Sequence, residues 1–273
     1  MQVKQMLDAR CAGGKKRKNI TFFGFLKLEY KINSSSWKEK VVVDSFLNGK
    51  RGAIPFATDQ LNIMLKLLSH LNNEVTSFID IGAGDGVLSH LLLERYNSAN
   101  GVLVDFSLPM IEAAKNRLEK YKDRIQIINA DLSNKNWQDN IFTNVSTTVD
   151  AIISGYCIHH LPHGRKYELY QEIYNHLSPN GIFINIEHVA SKSTWGEKIS
   201  DEMFIESLYS FETVNNSNKS IEAVGIEFQN RPDIKDNILL SPETQCEWLR
   251  EIGYKNVDVY FKCCELAVFS GMK

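Results

Sequence analysis

The sequence predicts an α/β fold in which a mostly parallel sheet carries helices on both faces. From Val75 onward, short apolar runs alternate with amphipathic stretches of helical period, and strands that alternate with helices form parallel sheets. A glycine turn, Gly82–Gly86, directly follows the first apolar run, and acidic residues follow the next two, at Asp105 and Asp131. Because the carboxyl ends of parallel strands meet at one edge, where ligands bind, these residues predict a ligand site there.

The predicted elements follow one another in a regular order. A helix is predicted over Asp59–Leu71, where apolar residues recur on one face. Continuous apolar runs, typical of strands buried on both faces, then predict five strands, and amphipathic stretches predict the helices between them. The strands are Ser77–Ile81, Gly101–Asp105, Ile125–Asn129, Asp150–Ser154 and Gly181–Glu187, and the helices are Val87–Tyr96, Pro109–Lys120 and Lys166–Leu177.

Two regions lie outside this alternation. Residues 1–50 contain the breakers Gly13-Gly14 and Asn33–Ser36, so they are predicted to be irregular and to form a basic N-terminal extension. The segment at residues 190–240 interrupts the domain and is interpreted as a lid or substrate-recognition insertion. The domain itself is predicted to span residues 51–273. It closes with a helix at Pro242–Ile252, capped by Ser241 and ended by Gly253, and a hairpin of Asn256–Phe261 and Glu265–Ser270.

Composition is that of an ordinary globular protein. The 273 residues are 43% hydrophobic and 23% charged. The apolar run near the N-terminus, Ile20–Leu28, is too short for a membrane span. Five cysteines form no CxxC pair, which favours a reducing compartment and predicts a cytoplasmic enzyme. Residues 1–40 carry ten Lys/Arg against three Asp/Glu. Such an arm would attract RNA or anionic lipid, although a solvated terminus is the favoured interpretation.

The glycine turn and the acidic residues predict the chemistry of the ligand. Gly82 and Gly84 allow the backbone to turn sharply and to approach a ligand without a Cβ in the way. Asp105 lies about where a carboxylate accepts hydrogen bonds from two neighbouring ribose hydroxyls. Asp131 would accept from the exocyclic amine of adenine. Each acid alone would be an ordinary turn former, but their placement after successive strands predicts a nucleoside site.

These residues resemble the class I S-adenosylmethionine-dependent methyltransferases, over roughly Pro55–Lys273. The resemblance implies a Rossmann-like seven-stranded mixed sheet of order 3-2-1-4-5-7-6, with strand 7 antiparallel and helices on both faces. It also implies the cofactor, S-adenosyl-L-methionine. The implied cofactor-binding residues are Asp80, which would support the loop, Gly82, Gly84 and Gly86 along the methionine and ribose, Asp105 on the ribose, Phe106, Asp131 and Leu132 around the adenine, and Gly155.

Two later motifs resemble the small-molecule members of this family. His159-His160-Leu161-Pro162 follows the fourth predicted strand, and Leu177–Gly181 precedes the fifth, with Asn180 where a glycine is usual. Asparagine tolerates the left-handed backbone conformation, so this departure costs little. The resemblance implies transfer of a methyl group to an O, N or C nucleophile of a small-molecule acceptor.

Methyl transfer needs alignment and desolvation, and only sometimes a base. The candidates for a base or orienting group are Tyr156, His159 and Glu187, with His160 and His188 beside them. A structural role for the two adjacent histidines is favoured, whereas Tyr156 is expected to face the pocket. Four aromatic residues would line a substrate pocket, although packing explains them equally well: Trp37, Trp195, Tyr209 and Phe211.

Other functions are less compatible with the sequence. A metal site is not predicted, since Pro162 and Gly164 argue against a helix presenting His159 and His163 together. A nicotinamide dehydrogenase would carry Gly-x-Gly-x-x-Gly, but Val87 stands at the sixth position. A nucleic-acid amino-methyltransferase would usually carry Asn/Asp-Pro-Pro-aromatic after strand four, so nucleic acid is disfavoured, although the basic arm leaves RNA open. A cofactor-modifying enzyme such as carboxy-S-adenosylmethionine synthase, or a non-catalytic cofactor-binding protein, also remains open.

Overall fold

The computed structural model describes residues 36–48, 50–139, 141 and 148–273, so the arm at residues 1–35 lies outside the described residues. One sheet of seven strands runs in the order β3-β2-β1-β4-β5-β7-β6. Its strands are β1 Ser77–Ile81, β2 Asn100–Asp105, β3 Ile125–Asn129, β4 Val149–Gly155, β5 Leu177–His188, β6 Lys255–Cys263 and β7 Leu266–Met272. β1 to β5 are parallel, and β7 is antiparallel to both of its neighbours. The predicted Rossmann-like fold is therefore confirmed.

The sheet is buried because its strands are apolar on both faces. Alternate residues of β1 enter two hydrophobic cores: Ile79 and Ile81 join one, and Phe78 joins the other. The helices that cover the sheet, and the segment that follows β5, are α1 Lys40–Asn48, α2 Ala57–Leu68, α3 Val87–Arg95, α4 Leu108–Arg117, α5 His163–His176, α6 Thr194–Val214, α7 Ile221–Gln229 and α8 Pro242–Ile252. Apolar residues of α5 and α8 belong to the first core, and those of α2 and α3 to the second.

Local signals set the helix boundaries close to the site. The Ser107 hydroxyl accepts from the Met110 amide at the start of α4, and the Ser241 hydroxyl accepts from the Thr244 amide at the start of α8. Gly253 ends α8 with φ 117°, a left-handed conformation that favours glycine. Asn180 has φ 66°, as expected from its place in the turn that resembles the family pattern.

Two expectations about secondary structure were wrong. Residues 36–48 are not irregular: Ser36–Lys38 form a 3-10 turn, α1 follows it, and both belong to the same compact unit as the rest of the domain. The unit therefore extends to the N-terminal side of the boundary predicted at residue 50. Helix α5 begins at His163 and contains Gly164, because Pro162 lies just before the helix, where its missing N–H costs nothing. No helix in the described ranges is long and apolar enough to cross a membrane.

Candidate active site

A cavity of about 400 Å³ opens at the carboxyl edge of the sheet, within the range of small-molecule sites. The glycine turn after β1, the end of β2 and the loop after β4 form its floor. The segment between β5 and α8, the segment around α1 and the first turns of α2 form other parts of its wall. The floor residues are Gly82, Ala83, Gly84, Asp85, Asp105, Phe106, Ser107, Gly155, Tyr156, Cys157, His159 and His160.

The glycine turn is held in a conformation that only glycine adopts easily. Gly82, Gly84 and Gly86 all have positive φ, between 57° and 76°. A Cβ on Gly82 would lie 2.0 Å from the Cys157 Sγ, so this glycine permits close contact between the loops after β1 and β4. A Cβ on Gly84 would meet nothing nearer than 3.9 Å, which leaves its backbone open to a ligand. Gly86 serves helix packing and does not line the cavity.

Asp105 ties the end of β2 to this turn. Its Oδ2 accepts from the Gly84 amide at 2.8 Å, and its Oδ1 accepts from the Ser107 amide at 2.7 Å. The side chain is 8% exposed, and burial raises the pKa of this carboxyl, an effect that the two amides partly offset. Asp105 lines the cavity beside Phe106. Each carboxylate oxygen retains a second lone pair that suits a ribose hydroxyl.

The other predicted cofactor residues take different places. Asp80 is buried under the turn and accepts from the Ser89 amide and hydroxyl, so it holds α3 against the loop. Asp131 accepts from the Ser133 amide at 2.9 Å and closes a turn. Neither Asp131 nor Leu132 lines the cavity, whereas Gly155 does. A Cβ on Gly155 would lie 2.9 Å from Leu88 Cδ1.

Tyr156 begins the loop after β4 and faces the cavity, as expected. Its hydroxyl donates to the Gln60 side-chain carbonyl at 2.5 Å, and the Gln60 amide nitrogen donates to the Pro55 carbonyl at 3.0 Å. Burial raises the pKa of the Tyr156 phenol above its ordinary value. Tyr156 therefore keeps its proton and acts as a donor. The sequence interpretation missed Gln60, which lies on the otherwise apolar face of α2.

His159 and Glu187 form a buried pair at the end of β4 and β5. The His159 Nδ1 lies 2.6 Å from the Glu187 Oε1. Burial lowers the pKa of His159 well below its ordinary value and raises the pKa of Glu187, while the charge of Lys166 lowers the latter. His159 lines the cavity and Glu187, 1% exposed, lies behind it. The geometry fits a neutral imidazole whose Nδ1–H donates to the carboxylate, leaving Nε2 as an acceptor.

The neighbouring histidines are tied to structural groups. The His160 Nδ1 lies 3.0 Å from the Asp236 carbonyl, which fits an N–H donor. The His188 Nε2 lies 3.1 Å from Glu265 Oε2. Among the residues that the structure describes, no cluster of three or more His, Cys, Asp or Glu side chains could hold a metal ion.

The segment at residues 190–240 supplies an aromatic wall. Phe204 of α6 stacks on Phe228 of α7, with ring centroids 5.9 Å apart, and Arg231 lies 4.0 Å above Phe228. Phe211 lines the cavity, as does Trp37 from the N-terminal side, but Trp195 is 73% exposed and lines nothing. Tyr209 is also absent from the wall. Sequence reasoning missed Phe204 and Phe228, since aromatic residues in an amphipathic helix equally indicate packing.

The comparisons with known proteins agree with this architecture. Residues 78–181 match the family model described as a methyltransferase domain. The chain is 22% identical over 234 residues to the carboxy-S-adenosyl-L-methionine synthase of Nautilia profundicola, covering 85% of this chain and 91% of that protein.

Two solved structures share the fold. A putative O-methyltransferase from Nostoc punctiforme has a TM-score of 0.57 at 14% identity, covering 89% of this chain and 64% of that one. An O-methyltransferase family protein from Burkholderia thailandensis has a TM-score of 0.53 at 14% identity, covering 84% and 61%. The chain thus spans less than two thirds of the length of both solved proteins.

The fold of the chain and the methyltransferase domain that it matches are those of enzymes that use a sulfonium methyl donor. The chain has the fold of the class I S-adenosylmethionine-dependent methyltransferases, and its residues 78–181 match a methyltransferase domain. Its cofactor is that of the class, S-adenosyl-L-methionine, and the residues present fit that group. The open backbone at Gly84 and the carboxylate of Asp105 lie side by side at the cavity floor and would accept a nucleoside there.

Proposed function

We propose that this enzyme methylates a hydroxyl or amine of an uncharged, largely apolar small molecule, and that His159 takes the acceptor's proton. The hydrogen bond of 2.6 Å between His159 Nδ1 and Glu187 Oε1 carries this proposal. It favours His159 as a base over the structural role that the sequence favoured, because a paired carboxylate fixes the tautomer and stabilises the imidazolium.

The cofactor would lie along the cavity floor. Gly82 and Gly84 would approach its methionine and ribose, Asp105 would accept from the ribose hydroxyls, and Phe106 would lie beside the adenine. When bound, S-adenosyl-L-methionine supplies a methyl group on a sulfonium sulfur. Asp131 and Leu132 lie outside the cavity wall, so contacts from them to the adenine would require the loop after β3 to approach.

The residues of this chain then handle orientation and the proton. The acceptor oxygen or nitrogen would take the methyl group from the sulfonium sulfur of the bound cofactor, which would leave as a neutral thioether. The acceptor's proton passes to His159 Nε2, and Glu187 stabilises the resulting positive charge. Tyr156 presents a fixed phenol at the same wall. Alignment of the acceptor and the methyl donor within the cavity would supply most of the remaining rate enhancement.

The aromatic wall supports an apolar acceptor. Phe204, Phe211 and Phe228 line the cavity and give this wall an aromatic surface that suits an apolar molecule. The charged groups on this wall are already paired: Lys219 lies 2.8 Å from Glu227, and Arg231 Nε lies 3.4 Å from Asp233. A charged acceptor would have to break such a pair, which favours an uncharged one.

The test is transfer of labelled methyl from S-adenosyl-L-methionine to a panel of phenols, aliphatic alcohols and amines. We expect turnover with at least one apolar phenol or amine, and a loss of about 10²-fold or more in kcat for His159→Gln. The matched control is His70→Gln, an exposed histidine at the end of α2, which should behave as wild type. Equal kcat for His159→Gln and wild type would reject His159 as the base, while cofactor binding without any turnover would favour a non-catalytic protein.

A second candidate is formation of a carboxylated cofactor, as the name of the Nautilia relative describes. Arg231, a cation on the cavity wall, favours it, and a carboxylate would compete there with Asp233, 3.4 Å from Arg231 Nε, and with the Phe228 carbonyl, which accepts from Arg231 Nη1. Mass spectrometry of the cofactor extracted from freshly purified protein separates the two reactions. A carboxylated cofactor, lost in Arg231→Met, would support the second candidate, whereas S-adenosylmethionine or S-adenosylhomocysteine alone would support methyl transfer.

A further inference from the structure

The segment Ser36–Asn48, which we call the strap, forms one wall of the cavity. Trp37, Ser45 and Phe46 line the cavity from this side, and the Trp37 and Phe46 rings meet edge to face at 5.2 Å. Val43 of α1 is buried and fixes the helix to the domain. The strap therefore places an aromatic pair on the wall of the cavity that holds the proposed cofactor site.

One end of the strap is bonded to the cofactor floor. The Ser107 hydroxyl donates to the Trp37 carbonyl at 2.6 Å. The Ser107 amide in turn donates to Asp105, whose other oxygen accepts from Gly84. Trp37 is thus one hydrogen-bonded residue away from the carboxylate that would hold the ribose.

The neighbouring residue is bonded to the opposite wall. The Ser36 amide donates to Asp236 Oδ2 at 3.0 Å, and the Ser36 hydroxyl donates to the Pro232 carbonyl at 3.1 Å. The backbone carbonyl of Asp236 also takes the His160 hydrogen bond, and His160 lies against His159, with ring centroids 3.9 Å apart. The consecutive residues Ser36 and Trp37 therefore connect the cavity floor to the segment that follows α7.

Each anchor is a partly exposed hydrogen bond, which contributes little net free energy and breaks readily. A ligand as large as a nucleoside with its amino-acid tail would need room to leave past the strap, and opening of an anchor would provide it. Apolar contact with Trp37 would hold the strap shut only when the site is filled.

We propose that Trp37 is a cofactor-binding residue and that the Ser36–Asp236 bond latches the strap, so that opening of this latch limits cofactor release. This rests on the cofactor class and not on the acceptor chemistry or on His159. Binding of S-adenosylhomocysteine, which needs no acceptor and no turnover, is therefore the readout, and failure of the proposed methyl acceptor leaves the test intact.

The experiment measures the Kd of S-adenosylhomocysteine by calorimetry and its dissociation rate by stopped-flow displacement, using the full chain. For Trp37→Ala we expect Kd to rise about tenfold, the loss of one aromatic contact. For Asp236→Ala we expect the dissociation rate to rise roughly fivefold, the loss of one hydrogen bond to a charged acceptor. Asp236→Asn, which keeps an accepting oxygen, should recover most of the wild-type rate.

Trp195→Ala and Asp123→Ala are the matched controls, because both residues are exposed and neither lines the cavity. Thermal unfolding identifies variants that do not fold, and Trp37→Phe replaces Trp37→Ala if that variant fails. The proposal would be overturned if folded variants of both Trp37 and Asp236 bind S-adenosylhomocysteine with a Kd and a dissociation rate within about twofold of wild type.

Discussion

The His159 Nδ1 lies 2.6 Å from the Glu187 Oε1, in a buried pair of which His159 lines the cavity. The two residues come from the loop after β4 and the end of β5, which are adjacent parallel strands. A buried carboxylate without a partner would be costly, and here the amide of His188 and the side-chain amide of Asn185 also donate to it. These hydrogen bonds hold the His159–Glu187 pair in place at the carboxyl edge of the sheet.

Glu187→Gln tests whether this carboxylate supports the base. Loss of the negative charge removes stabilisation of the imidazolium, so we expect kcat to fall by about 10²-fold while the KM for the cofactor changes little. In wild type, burial lowers the pKa of His159 well below 6.5. Activity should therefore stay constant through neutral pH and fall only in acid, as His159 takes up a proton.

The pH dependence of kcat distinguishes positioning from folding. In Glu187→Gln the acid limb should move to still lower pH, because the imidazolium has lost its counter-charge. Glu197→Gln, which changes a carboxyl at the start of α6 outside the cavity wall, is the control and should leave the profile unchanged. An acid limb at the same pH in both variants and wild type would contradict the assignment.

Gly82→Ala tests the contact between the loops after β1 and β4. The new Cβ would lie 2.0 Å from Cys157 Sγ, and the backbone has φ 66°. We expect a loss of unfolding free energy of roughly 2–4 kcal/mol, from overpacking together with left-handed strain. Chemical denaturation measures this loss.

Gly164→Ala is the matched control, because a Cβ there meets nothing within 4 Å at the start of α5. Alanine in a helix should leave the stability unchanged or raise it by up to about 1 kcal/mol. A Gly82→Ala variant as stable as Gly164→Ala would show that the two loops separate freely.

Local sequence signals predicted the sheet well. The bounds of Ser77–Ile81 and Ile125–Asn129 agree with the structure, because continuous apolar runs between turn residues specify buried strands. Helix Pro242–Ile252 also agrees, since a serine cap and a terminal glycine mark its two ends. These features depend only on neighbours in sequence.

Features that depend on tertiary packing were harder to predict. Helix α1 begins with a run of β-branched valines at 41–43, which disfavour helix, and it forms because Val43 is buried against the domain. Helix α7 contains Gly225 and was not predicted, although Ser220 caps it. In the site, the contact of His159 with Glu187 follows from strand pairing across 28 positions, and no local pattern encodes that register.

Asp105→Ala tests the proposed ribose site. Loss of a carboxylate that accepts from two hydroxyls should weaken S-adenosylmethionine binding by roughly 10²-fold, as calorimetry would measure. The buried carboxyl of Asp105 has a raised pKa, and only its ionised form accepts both hydroxyls. Wild-type affinity should therefore fall on acidification, starting at a higher pH than an ordinary aspartate would give.

Asp105→Asn cannot ionise, so its weaker affinity should not follow this pH dependence. Asp123→Ala, an exposed aspartate before β3, should bind as wild type at every pH. Full affinity in Asp105→Ala would remove this residue from the cofactor site.

Lys166→Met tests a buried ammonium group close to the His159–Glu187 pair. Lys166 is 1% exposed, donates to the Ile238 carbonyl, and has its pKa lowered by burial to about 8. Between about pH 8 and 10.5 the unfolded chain holds this proton and the folded chain does not, so wild-type stability contributed by this group rises with pH. Since Lys166→Met lacks the group, the stability of wild type relative to the variant should rise by about 2–3 kcal/mol across this range.

Urea denaturation at both ends of the range measures the change, and Lys255→Met on exposed β6 is the control. A wild-type advantage over Lys166→Met that does not change with pH would mean that Lys166 keeps its proton in the fold and that Glu187 holds it more strongly than burial opposes it.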